Sequence, residues 1–271
     1  MDYSWILPAA EGLYANRDDI QNNFQKVSNW LVGKKSTIVI TGLPGVGKTV
    51  LSDYLTDAAY KRGYTPPLKS EDLETRKTSI EKQRFEFKVI PGQDSPQRNN
   101  ALDELFNGDE ESSVDGVIHV VANGLSRVGS VFSQQLRSGT SLKDYQRERM
   151  VEELDDLSQV CEQIRKSFRN AKKPAWLLVA VTKVDLYYDE IEIARDRYAV
   201  ECQSEFSDRI RILSNQVGSD NFTWDALPFC GQLEDFTLGS QMCPSQLRNQ
   251  QRDHYIAQFS KKLVAICKAN L

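Results

Sequence analysis

The chain has 271 residues, enough to bury a core as one α/β domain with insertions or as two small domains. With 34 Lys and Arg against 38 Asp and Glu the formal charge is −4, and no basic cluster dominates, so no nucleic-acid partner is expected. Five scattered cysteines without a C-x-x-C pair, and only two histidines, argue against a zinc site, a disulfide framework and His-based catalysis, and fit a reducing cytoplasm.

The first residues, MDYSWILPAA, lack a basic n-region and a long apolar stretch, and Asp2 stands where myristoylation needs Gly. Cys267 is one position too far from the terminus for prenylation, and no run of about 18 apolar residues occurs. A cytoplasmic protein without a membrane anchor is expected.

Residues 1–35 read as an N-terminal helical extension, with Ile20, Phe24, Val27, Trp30 and Leu31 on one face of a helix over 17–32. Residues 36–271 read as one domain. The β-branched run 36–41 predicts a strand, and from Lys48 onward Val50, Leu51, Tyr54, Leu55, Ala58 and Ala59 recur at helical spacing. Residues 63–77 are polar and Pro-containing and resist a regular assignment. Residues 78–91 predict a strand pair or one long strand, 95–106 a helix, and 116–121 a buried strand whose His119 reads as a satisfied core imidazole. A loop over 123–140 leads to a long helix, 142 to about 171, expected to cover the sheet, with a partner surface as the lesser alternative. A strand over 175–181, a helix over 190–217, a strand over 222–229 and a helix over 253–269 complete the pattern. Asp109-Glu110-Glu111 and residues 233–251 read as surface insertions. Strands alternating with helices predict an α/β fold with a doubly wound, mostly parallel sheet and a ligand at the strands' carboxyl ends.

Between the first strand and its helix stands GLPGVGKT, Gly42 to Thr49, which matches G-x4-G-K-[ST]. Gly42, Gly45 and Gly47 let successive backbone N–H groups turn inward around a phosphate. Lys48 adds a point charge between the β- and γ-phosphates. Thr49, at the start of the helix, offers a hydroxyl to Mg²⁺ while the helix N-terminus faces the anion. Pro44, Val46 and Val50 complete the loop's contact set. Pro44 removes one N–H donor, as it does in many ATP-binding loops, so the loop alone leaves ATP open.

The apolar strand ending at Val181 runs into TKVD, Thr182 to Asp185. A carboxylate at that place accepts two hydrogen bonds, from N1–H and the exocyclic amino group of guanine, a donor pair adenine lacks on that edge. Asp185 therefore reads as the guanine reader. Lys183 would lay its stem over the base with its ammonium near the phosphate loop.

From about Ser36 onward, on GLPGVGKT, VIPGQ and TKVD, the sequence resembles the Ras-like and translation-factor-like GTPase superfamily, as a divergent member. The resemblance implies that the Gly92 N–H meets the γ-phosphate and that Gln93 orients the attacking water. It also implies that a backbone N–H of Phe229-Cys230-Gly231 reaches the guanine O6, so Cys230 and Gly231 join the nucleotide set. Thr78, or alternatively Thr75, would reach Mg²⁺ and the γ-phosphate from the first switch. The sequence departs from the family at Val89, where members carry an Asp that holds Mg²⁺ through water. That puts tight Mg²⁺ coordination and fast hydrolysis in doubt. No arginine finger is singled out among Arg62, Arg76, Arg84, Arg98 and Arg127, each of which reads as a surface residue.

The expectation is a GTP- and GDP-binding protein with Mg²⁺ as cofactor and slow GTPase activity. Its switch segments, 63–78 and 92–98, would control the binding of a protein effector or regulator. Two alternatives stay open: a non-hydrolysing GTP-bound scaffold, and an ATP-dependent P-loop enzyme.

Overall fold

The computed structural model describes residue 5 and residues 35–65, 73–80, 83–92, 95–107, 114–126, 139–168 and 174–270. The β-branched and aliphatic runs build one six-stranded sheet. Its members are β1 (Lys35–Thr41), β2 (Glu74–Ile80), β3 (Gln83–Val89), β4 (Gly116–Val121), β5 (Trp176–Val181) and β6 (Thr223–Pro228). The order is β2-β3-β1-β4-β5-β6. Every neighbouring pair is parallel except β2 and β3, which run antiparallel from Glu74↔Val89 to Ile80↔Gln83. The strand-pair reading is therefore the one realised, with its first strand starting at Glu74.

Because the side-chain period of a strand is two, each strand feeds both faces. One face carries Ile38, Ile40, Phe87, Val89, Ile118 and Val120, covered by α1 (Lys48–Leu55) and the final helix. The other carries Val39, Val117, Val121, Leu177 and Val179, covered by α2 (Pro96–Asn107), α3 (Leu142–Ser167), α4 (Ile191–Tyr198) and α5 (Glu205–Val217). The final helix is α6 (Asn249–Ala269). The sheet is thus doubly wound and mostly parallel.

α3 begins at a Ser141 cap whose side chain accepts from the Asp144 N–H. It buries Tyr145, Leu157, Val160 and Ile164 against the sheet, as a covering helix does.

Two expectations are corrected or narrowed. The single helix over 190–217 is two helices, because Ala199 is extended and Ser204 opens a new cap, accepting from Ser207 N at 3.0 Å while Ser207 Oγ accepts from Ser204 N at 3.1 Å. Arg211 then donates to the carbonyls of Val200 and Cys202 in the break. Residues 233–251, read as a surface insertion, contain regular structure packed on the core. They form a hairpin of β7 (Phe236–Leu238) and β8 (Gln241–Cys243) that buries Phe236 and Leu238, with the Phe236 ring 6.0 Å from that of Tyr145. The predicted helix over 17–32 and the acidic run 109–111 lie outside the described residues. Trp5 of the extension is buried, and its carbonyl accepts from the Tyr255 hydroxyl of α6 at 3.1 Å.

Candidate functional site

β1 ends at Thr41 and hands the chain to a tight loop with positive φ at Gly42 (132°), Gly45 (72°) and Gly47 (97°). A Cβ on Gly42 would run into the Val120 carbonyl of β4, so the loop sits on the sheet edge only because that residue is Gly. Pro44 takes the turn, Val46 is buried, and Thr49 and Val50 lie half-buried in the first turn of α1. Lys48 Nζ donates to the carbonyls of Gly42 and Leu43, both at 2.8 Å. Burial lowers its pKa to about 7. The Asp156 and, more weakly, Glu74 carboxylates oppose that shift, while Arg98 adds to it.

β3 delivers the second wall. Ile90 N donates to Ile40 O at 2.9 Å, and Gly92 follows so closely that a Cβ there would meet Pro44 N and Lys48 Nζ. Gly92 therefore touches the phosphate loop and its lysine. Its carbonyl accepts from Arg98 Nη1 at 3.0 Å, and Arg98 forms an ion pair with Asp156 of α3, both side chains only 3% exposed. This overturns the surface reading of Arg98: a guanidinium with a carboxylate and a carbonyl as partners can be buried, here with its Nε and the Asp156 Oδ2 without a hydrogen bond among the described residues. Asp156 and Arg98 stand 58 residues apart, and no spacing in the sequence announces the pair. Beside them His119 is fully buried, shares a 2.9 Å hydrogen bond between Nδ1 and Thr41 Oγ1, and has its pKa lowered to about 4 by burial. Among the described residues its Nε2 has no hydrogen-bond partner, so the expected satisfied imidazole is satisfied there on one side only.

The third wall is the TKVD segment. Thr182 Oγ1 lies 2.6 Å from Val46 O and 2.9 Å from Val121 O, so this hydroxyl joins β5 to the phosphate loop across 136 residues of sequence. Asp185 is 1% exposed, and burial raises its pKa. Cys230 Sγ donates to its Oδ1 at 3.5 Å, the Ser245 hydroxyl and the Glu234 N–H act against that rise, and Oδ2 has no partner within hydrogen-bond distance among the described residues. Gly231 packs against Val50 and Tyr54, which brings the loop after β6 to both Asp185 and α1. The Lys183 ammonium has partners on the loop after β4 and on the hairpin. It donates to Leu125 O at 2.6 Å and lies 5.7 Å from the Phe236 ring centre.

That carbonyl is on offer because the loop after β4 is anchored from α3. Glu153 Oε1 accepts from Ala122 N and Gly124 N at 2.9 and 3.1 Å, and its Oε2 accepts from the Tyr198 hydroxyl at 3.0 Å. Glu153 was not singled out in the sequence, because one acidic residue on an amphipathic helix carries no signal until its partners are known.

Two metal expectations fare differently. Thr49 stands at the head of α1, beside the phosphate loop. Thr78 does not come near it: it pairs with Phe85, four residues down β3 from Val89, roughly 13 Å from the strand's carboxyl end. Thr75 pairs with Lys88 and is exposed. The Val89 side chain is buried in the apolar layer, and the residue paired with it across the ladder is Glu74. Hard oxygen donors, the Thr49 hydroxyl and the Glu74 carboxylate, are the donor chemistry Mg²⁺ takes. Among the described residues no cluster of three His, Cys, Asp or Glu could hold a metal by itself. Gln93 lies outside the described residues, as do parts of both switch segments and Arg127. Arg62 is exposed, and Arg76 bridges Asp53 and Glu74.

No family model and no curated protein matches the chain in sequence. Among solved structures, a dimerization-deficient mutant of Toc33 from Arabidopsis thaliana is similar with a TM-score of 0.52 at 12% identity, covering 93% of this chain and 92% of that one. The fold is that of a Ras-like G domain. Toc33 from the same plant in complex with Mg²⁺ and GMPPNP matches at a TM-score of 0.47 and 12% identity, over 98% and 97% of the two chains. The FeoB G-domain from Methanococcus jannaschii matches at 0.43 and 16%, over 87% and 99%. Among the described residues no helix is long and apolar enough to cross a membrane.

Proposed function

We propose that the chain binds guanine nucleotides at the carboxyl edge of β1, β3 and β5. GTP would be hydrolysed slowly, with the nucleotide state controlling a protein partner. The observation that carries this reading is the hydrogen bonding of Thr182 to Val46 O, which couples the segment bearing Asp185 to the phosphate loop. A buried carboxylate with an oxygen that has no partner within hydrogen-bond distance among the described residues suits the paired donors of guanine, a pair that adenine lacks on that edge. Backbone N–H groups of residues 45–49 would face the phosphates, with Lys48 turning its ammonium from the loop carbonyls to a phosphate oxygen. Gln93 would orient water, and the Gly92 N–H would meet the transferred phosphoryl group. Mg²⁺, when bound, supplies positive charge to the phosphate oxygens, with Thr49 as a ligand. The apolar Val89 supports turnover in the unassisted range, ~10⁻⁴ s⁻¹ or lower.

The test is equilibrium binding of a fluorescent GDP, with unlabelled GTP and ATP as competitors. We expect GTP to compete and ATP to fail, and Asp185→Ala to lose at least about tenfold in affinity for GDP. Equal competition by ATP would transfer the site to the adenine-nucleotide alternative. GTP found intact in protein purified without added nucleotide would favour the scaffold reading, for which the apolar environment of Val89 is the specific support.

A further inference from the structure

We propose that Glu74, on the strand beside β3, is the carboxylate of the magnesium site, holding together with the Thr49 hydroxyl the Mg²⁺ that accompanies the nucleotide's phosphates. The inference rests on the nucleotide-binding reading above and names a residue that nothing in the sequence pattern marks.

The geometry follows from two registers. Glu74 pairs directly with Val89, the last residue of β3, and directly paired residues project from the same face of a sheet. Val89 faces the α1 layer, so Glu74 does too. Arg76, two residues along β2 on that face, reaches across to Asp53 of α1 in an ion pair. This contact fixes where strand and helix meet. Both elements run away from the phosphate edge, since α1 starts at the loop and β2 starts opposite the end of β3. Stepping back toward the loop by one helical turn from Asp53 arrives at Thr49. Stepping back by one pleat repeat from Arg76 arrives at Glu74. Four helical residues rise ~6 Å and two strand residues ~6.8 Å, so the steps agree to within about 1 Å and set Thr49 beside Glu74.

The other carboxylates near the loop are already engaged in ion pairs. Asp156 is held by Arg98 on the opposite face of the sheet. Asp53, the acidic residue of α1, is engaged at both oxygens, by Arg76 and by the Tyr64 hydroxyl at 2.7 Å. Glu74 differs. Its side chain is 30% exposed, Arg76 contacts only its Oε2, at 2.7 and 3.2 Å, and Oε1 takes no hydrogen bond among the described residues. A cation that binds through one or two carboxylates, a hydroxyl, phosphate oxygens and water finds those protein donors here.

The experiment measures the Kd of fluorescent GDP in EDTA and in excess Mg²⁺, for the parent and for Glu74→Gln and Glu74→Asp, with Mn²⁺ resonance spectra of the GDP complex as the direct readout. The parent should bind more tightly with Mg²⁺. Glu74→Gln should lose about 10- to 100-fold of that gain and should release bound Mn²⁺, while binding GDP in EDTA no more weakly, since a negative charge next to the phosphates is removed. Glu74→Asp, one methylene short, should fall between. An unchanged Mg²⁺ gain in Glu74→Gln would overturn the proposal, as would equal weakening in Mg²⁺ and EDTA, the mark of a structural role. Guanine-nucleotide binding by the parent that is indifferent to Mg²⁺ sinks this inference alone; absence of binding in either condition sinks it together with the nucleotide-binding reading.

Discussion

An ion pair stands on each side of the phosphate loop, and the two differ in how much water they see. On the α3 side Arg98 and Asp156 are both 3% exposed, and the pair's guanidinium holds the Gly92 carbonyl. On the α1 side Arg76 and Glu74 are 22% and 30% exposed, and Arg76 is divided between Glu74 and the buried Asp53. A buried pair fixes a backbone position, because neither partner can be released without leaving an uncompensated charge. A half-exposed pair gives up little when one partner turns to another cation. The contrast assigns rigidity to the wall that carries Gly92 and adaptability to the wall that carries Glu74.

The same amide-for-carboxylate exchange on the two sides would sharpen this contrast most. Asp156→Asn removes the charge opposite Arg98 and keeps the shape, leaving a guanidinium buried without a counter-ion. It should cost about 3 kcal/mol or more in urea unfolding. The double variant Arg98→Met with Asp156→Leu should recover most of that stability while freeing the Gly92 carbonyl. A cost below about 1 kcal/mol for Asp156→Asn would show that water reaches the pair, and the contrast between the two walls would be lost.

A smaller effect lies in the imidazole between Thr41 and the Arg98 pair. Burial holds the His119 pKa at about 4, below the ordinary value of 6.5. The unfolded chain therefore takes up a proton first as the pH falls. Between pH 6.5 and 4 the unfolded state binds more protons than the folded one, so stability falls on acidification through that window. From pH 7 to 5 the loss assigned to His119 is about 2 kcal/mol. His119→Gln, which cannot titrate, should show a correspondingly flatter dependence in urea melts at the two pH values, and an unchanged slope would place the imidazole in contact with water.

What the sequence discloses and what it conceals divide along the same line. The glycine loop between β1 and α1, the place of Asp185 after β5 and the alternation of strands with helices were legible because each is local: a glycine spacing, a carboxylate after a strand, an apolar run. Arg98 with Asp156, and Glu153 with Ala122 N, were not, since each joins residues tens of positions apart that carry no periodicity. The Thr78 expectation failed for a different reason. Counting back from VIPGQ finds the right strand pair, but the antiparallel register turns residues counted toward the loop into residues running away from it, and only the ladder shows that Glu74 holds the edge. The helix break at 199–204 was missed because apolar spacing continues through it. The Ser204 and Ser207 cap that makes the break is a short polar pattern inside a helical one.

The least effect on stability is expected at Glu74, and it is the most informative for that reason. Glu74→Gln leaves Arg76 paired with Asp53, keeps an amide oxygen as acceptor for the guanidinium, and alters a group water already reaches. The change in unfolding free energy should stay below about 1 kcal/mol, and added salt should shrink it further. A near-silent substitution in urea, beside the several kcal/mol expected for Asp156→Asn, would establish that the α1 wall can change its charge without changing its shape. A metal-bearing wall needs that property, because the carboxylate must exchange a guanidinium for a cation while α1 and β2 stay in register. A cost for Glu74→Gln comparable to that of Asp156→Asn would instead make both walls structural ion pairs, and the difference in exposure would have no functional meaning.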